Sequence, residues 1–122
     1  MRGILAVCLF FVIGSLHAAT ISCDLELYRI YFEETPAGKI VRQTLLETKE
    51  LKEKLPVRTD GTETFILEGT LGPYSVSASY FMAEKSFSSI FVTDDSHSVE
   101  VQNDFTVFTS LARKDRLVVS CN

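Results

Sequence analysis

The chain has 122 residues, 12 basic and 16 acidic side chains, a formal charge of −4, no tryptophan and three cysteines. That length suits one domain with a modest apolar core, not two domains. The acidic balance leaves nucleic acid and anionic membrane surfaces as poor partners.

Residues 1–19 read as an export signal. Arg2 supplies the positive start, Ile4 to Ile13 form an almost unbroken apolar run, and Ser15 to Ala19 give a small-residue exit after Gly14. Cleavage is expected after Ala18 or Ala19, leaving residues 20–122 as a single β-domain. Loss of Arg2 takes the formal charge from −4 to −5. The apolar run falls short of the roughly 20 residues that a membrane span needs, and no second run follows. The mature chain is therefore expected to be soluble, periplasmic or secreted.

Cys8 leaves with the signal, so Cys23 and Cys121 remain as an even pair at the two ends of the mature chain. In an oxidising compartment such a pair is expected to form a disulfide. Closing a loop of about 100 residues stabilises a fold by up to about 4.7 kcal/mol in the chain-entropy picture. A competing reading makes Cys23 the lipid carrier of an anchored lipoprotein, since Ala19, Thr20, Ile21 and Ser22 satisfy a permissive lipoprotein pattern. It would leave Cys121 as an unpaired thiol, a liability in an oxidising space.

Along the mature chain the dominant period is two, the signature of half-buried strands. Ile21 to Phe32 is the first such segment, and Lys39 to Thr48 the second. From Thr44 to Leu55 a helix competes: Thr44 and Glu47 form a capping box, and Leu51 and Leu55 make an i, i+4 pair, although Pro56 ends any helix at once. Glu63 to Leu71 follows. The next segment is the clearest, with Tyr74, Val76, Ala78 and Tyr80 alternating with Ser75, Ser77 and Ser79. Phe87 to Thr93, Ser98 to Gln102, Phe105 to Leu111 and Arg116 to Cys121 bring the expected total to eight strands.

Most of the links are short and rich in turn formers, as in Thr35-Pro36-Ala37-Gly38, Gly72-Pro73 and Asp94-Asp95-Ser96-His97. Short links read as hairpins, and a run of hairpins is a meander. In an eight-strand meander the first strand begins and the last ends at one end of the sheet, which is where Cys23 and Cys121 lie. The expected fold is therefore all-β: an antiparallel meander of about eight strands forming a small closed or nearly closed barrel, with a two-sheet β-sandwich as the alternative.

Catalytic and metal constellations are sparse. His97 is the sole imidazole of the mature chain, which excludes a histidine metal cluster, and two distant thiols do not build a zinc site. Asp94, Asp95, Ser96 and His97 hold the residue types of acid–base chemistry, yet the same types satisfy the backbone of a hairpin turn. Asp60-Gly61 reads as a turn and matches no calcium loop. No metal, cofactor or catalytic residue is expected, and the protein is read as non-enzymatic. The basic cluster Arg113, Lys114 and Arg116 in the last hairpin is a candidate docking point for an anionic partner.

The expected function is that of an exported binding or inhibitor module for another protein at the cell envelope or outside the cell, since a rigid β-scaffold presents its hairpin tips as a contact surface. The alternative is a carrier barrel for a small apolar ligand. Eight strands enclose only just enough room for one, and the mature chain carries seven phenylalanines to fill the interior.

Overall fold

In the computed structural model, which describes residues 19–58 and 60–122, the chain is built of strands and the turns between them. The export segment expected over residues 1–19 lies, up to residue 18, outside the described residues. In chain order the strands are β1 (Thr20–Thr35), β2 (Gly38–Lys54), β3 (Thr64–Leu71), β4 (Tyr74–Phe81), β5 (Ser86–Thr93), β6 (Ser98–Val101), β7 (Phe105–Ser110) and β8 (Asp115–Cys121). Among the described residues no helix is long and apolar enough to cross a membrane.

Period two does the work that the sequence implies. Tyr74, Val76, Ala78 and Tyr80 of β4 are buried, while Ser75, Ser77 and Ser79 lie on the outer face. Thr44 to Lys54 is strand, not helix. Its backbone completes a ladder in which Glu47 pairs with Leu27 and Lys54 with Thr20. A helix of about 12 residues is marginal in water without a packed face, and here Leu51 is the one residue of β2 that is buried. The cross-strand ladder therefore wins.

The strands form two antiparallel sheets, in the orders β2-β1-β8-β7 and β3-β4-β5-β6. The closed-barrel expectation is thus corrected to its sandwich alternative. The cyclic strand order of the barrel survives, but the ladder is interrupted at two seams, β2/β3 and β6/β7. The second break has a plain cause. β6 has only four residues, and Gln102-Asn103-Asp104 carries the chain from one sheet to the other instead of making a hairpin. At the first, residues 55–63 form the longest connection and side chains replace backbone pairing. Lys49 Nζ donates to the Thr70 carbonyl at 3.1 Å. Gly69 leaves room for Leu51, since a Cβ there would lie 2.5 Å from Leu51 Cδ2.

Between the sheets lies one apolar cluster, in which Leu25, Tyr74, Ile90, Leu117 and Val119 are entirely removed from solvent. Each such side chain contributes about 1.5–3 kcal/mol relative to exposure. The cluster includes Cys23 and Cys121, joined as a disulfide between neighbouring strands of one sheet. Ser22 and Asn122 exchange both backbone hydrogen bonds, at 3.0 and 2.9 Å, so the adjoining cysteines occupy a non-hydrogen-bonded pair, where side chains approach most closely.

β1 and β2 are far longer than the rest. The ladder from β1 to β8 ends at Arg29↔Asp115, whereas the ladder to β2 continues to Thr35↔Gly38. Residues 31–43 consequently form a two-stranded arm, about 20 Å of ribbon at the usual strand rise. A bulge marks its root. Leu27 pairs with Glu47 and Tyr28 with Leu45, which leaves Leu46 unmatched, and the buried parity of β1 switches from Leu25 and Leu27 to Ile30.

Candidate functional site

Two features stand out from the plain sandwich: a polar knot at the end bearing the β5–β6 and β7–β8 turns, and the β1–β2 arm.

The knot begins with Tyr74, the first residue of β4, whose ring is wholly buried. Its hydroxyl donates to Asp115 Oδ1 in the opposite sheet. Arg113 Nε donates to Asp115 Oδ2 at 3.1 Å, and Arg113 Nη2 donates to Asp94 Oδ2 at 2.9 Å. The guanidinium carbon lies 5.0 Å from the centre of the Tyr74 ring, and Phe108 meets that ring edge-on at 5.4 Å. Burial and the hydrogen bond to Asp115 push the Tyr74 phenol up to about 12. The Asp94 carboxyl is lowered to about 2, first by the Ser96 backbone N–H, then by the His97 N–H and by Arg113.

Asp94 is therefore a turn residue first. Its Oδ1 accepts from the backbone of Ser96 at 2.8 Å and of His97 at 2.7 Å. The His97 ring lies 2.9 Å from Ser96 Oγ and is largely exposed. A surface hollow of about 390 Å³ borders the knot, lined in part by His97, Val99, Phe108 and Leu111. The Tyr74 hydroxyl, the Arg113 guanidinium and both carboxylates are committed to one another, which makes the knot a clasp between the two sheets. Asp60 behaves like Asp94, accepting from the Thr62 backbone at 2.8 Å and the Thr62 hydroxyl at 2.6 Å.

The three cations singled out in the last hairpin occupy different settings. Arg113 belongs to the clasp. Arg116 donates to Thr109 Oγ1 at 3.1 Å and to Gln43 Oε1, at the root of the arm, at 2.8 Å. Lys114 is exposed at a turn position with φ of 58°.

The arm carries residues that the search for charged motifs passes over. Tyr31, Phe32, Ile40 and Val41 on the arm, and Leu45 and Leu46 at its root, are 37% to 53% exposed. Opposed residues of a ladder share a face, so Phe32 and Val41 lie together on one side, while Tyr31 with Arg42 and Glu33 with Ile40 lie on the other. Arg42 pairs with Glu33, and Lys39 Nζ lies 3.7 Å from Glu34 Oε1. Each face is thus an apolar strip bordered by ions. The signal in the sequence is the doubling of apolar residues, in Tyr31-Phe32, Ile40-Val41 and Leu45-Leu46. In a strand, one member of each doublet faces outward whichever side meets the core.

No protein-family model, no curated protein and no solved structure matches the chain. Its own geometry therefore carries the functional argument.

Proposed function

We propose that the protein is an exported, non-enzymatic binding module for another protein at the cell envelope or outside the cell, and that the β1–β2 arm carries the contact. One observation supports this above the others. Four large apolar side chains, Tyr31, Phe32, Ile40 and Val41, are exposed on a two-stranded ribbon that runs on beyond the end of the β1–β8 ladder, with Leu45 and Leu46 exposed at its root. A two-stranded ribbon alone is marginally stable in water, and contiguous exposed apolar surface rimmed by polar groups is the usual mark of a protein contact. The long ladder and the disulfide at the base of β1 hold the arm on a fixed scaffold, which limits the ordering cost of association. The same disulfide uses the sulfur that a lipid anchor at Cys23 would need.

The test is affinity capture from the native envelope fraction with the oxidised protein, compared with Phe32→Glu, Val41→Glu and, on the far sheet, Ser75→Glu. The proposal expects one discrete protein to be retained by the unaltered chain and by Ser75→Glu, and lost by both arm variants. Retention by all four chains would contradict it.

A further inference from the structure

We infer that the outer face of the second sheet binds a neutral linear glycan in a trough along β4, with Phe91 as the platform for a sugar ring. The site lies on the sheet that does not carry the arm, so it goes beyond the proposed contact and does not depend on it.

The trough comes from side-chain size. The outward residues of β4 from Ser75 to Ser79 are all serine, whereas the flanking strands present Glu68 and Thr70 from β3 and Phe91 and Thr93 from β5. Small side chains between larger ones leave a channel two strand spacings wide, about 9.5 Å, that runs about 14 Å along β4. A hollow of about 390 Å³ lies over Ser75 and Ser77, bounded by those four flanking side chains.

One row crosses the whole sheet. Glu68 pairs with Ser77, Ser77 with Phe91 and Phe91 with Glu100, so a carboxylate, a hydroxyl, an aromatic ring and a second carboxylate stand side by side on the outer face. Phe91 is 40% exposed. In contrast to the clasp, the polar groups here are uncommitted. Among the described residues the side chains of Glu68, Thr70, Ser75, Ser77, Thr93 and Glu100 make no hydrogen bond or ion pair within the chain.

Hydroxyls donate and accept, carboxylates accept, and the ring offers an apolar face. A pyranose needs that combination, since its hydroxyls surround the rim and its C–H bonds line a face. β3 to β6 hold no lysine or arginine, and Lys49, which reaches this sheet from β2, donates to the Thr70 carbonyl. The two carboxylates therefore reject an acidic polysaccharide and leave a neutral one as the fitting occupant. An acyl chain or an apolar peptide face would cover the serine hydroxyls without giving them partners.

The test is a glycan array probed with the oxidised protein, carrying neutral glycans beside sulfated and uronate ones. Calorimetry follows, with the hexasaccharide of the best-bound neutral backbone, on the unaltered chain, Phe91→Ala, Glu68→Gln, Ser77→Leu and the arm variant Phe32→Glu. The inference expects neutral glycans to be bound in preference to anionic ones. Phe91→Ala should weaken binding about tenfold or more, Glu68→Gln should weaken it about threefold or more, and Ser77→Leu, which fills the trough, should abolish it. Phe32→Glu should bind the glycan as the unaltered chain does. The changed positions of the site lie on the solvent side of the sheet, so each variant should keep a cooperative thermal transition. An array with no neutral glycan bound overturns the inference, as does a preference for anionic glycans or an affinity indifferent to Phe91→Ala and Ser77→Leu. Protein capture through the arm is read separately, so either result can fail without the other.

Discussion

Tyr74 in one sheet and Asp115 in the other are joined by a hydrogen bond from phenol to carboxylate, with the Arg113 guanidinium closing over the ring. It fastens the sandwich at the end where β6 and β7 fail to pair. Because the phenol is fully buried, Tyr74→Phe removes a charge-assisted bond and leaves Asp115 Oδ1 short of a donor. We expect a loss of about 1–3 kcal/mol in urea unfolding.

The same bond has an alkaline signature. A folded-state value of about 12 against the ordinary 10 means that the protonated phenol is favoured by folding. That contribution is fully present below pH 10 and fades as pH climbs from 10 to 12. An ultraviolet titration should therefore show one phenolate appearing near the top of this window, and Tyr74→Phe should abolish it.

Asp94 gives the opposite sign. Its carboxyl, lowered to about 2 by the Ser96 N–H, the His97 N–H and Arg113, favours the folded state wherever it is ionised. The contribution is present above about pH 3.8 and is lost as pH falls through 2. Asp94→Asn should lower the thermal midpoint at neutral pH and flatten its decline in acid, measured by circular dichroism between pH 2 and 6.

Much of the fold was legible in the sequence, and the missing parts have identifiable causes. Tyr74 to Tyr80 announced a half-buried strand because its parity is unbroken, and the two cysteines marked β1 and β8 as neighbours. The two seams were not legible. They depend on Gly69 admitting Leu51 and on Gln102-Asn103-Asp104 changing sheets, and neither is a local preference. The clasp was equally hidden. Asp94, Arg113 and Tyr74 each looked like a turn, a charge cluster or a core residue, and only the fold brings them together. The arm left a trace in its apolar doublets, but strand length alone does not say where a partner strand stops.

Gly72 tests the hairpin between β3 and β4. Its φ is +59°, Pro73 follows, and a Cβ would lie 2.8 Å from Leu27 Cδ2. Positive φ at the first of two central positions, with proline at the second, matches the type II′ pattern. Gly72→Ala should cost about 1–2 kcal/mol from backbone conformation alone, read from the denaturant midpoint.

The disulfide spans a sequence separation of 98 residues. Replacing both cysteines by alanine should lower stability by about 2–4 kcal/mol, since the unfolded chain regains its freedom. Reduction of the unaltered protein should give a similar loss, and the β1–β8 ladder should then exchange its amide hydrogens faster.

The claim that the arm is the binding surface is tested most directly by a photoreactive phenylalanine analogue placed at Phe32, with Phe91 on the outer face of the far sheet as the control, irradiated in the native host. The account predicts one discrete protein adduct from position 32, abolished by Val41→Glu, and none from position 91. An adduct from position 91 with none from position 32 would contradict it.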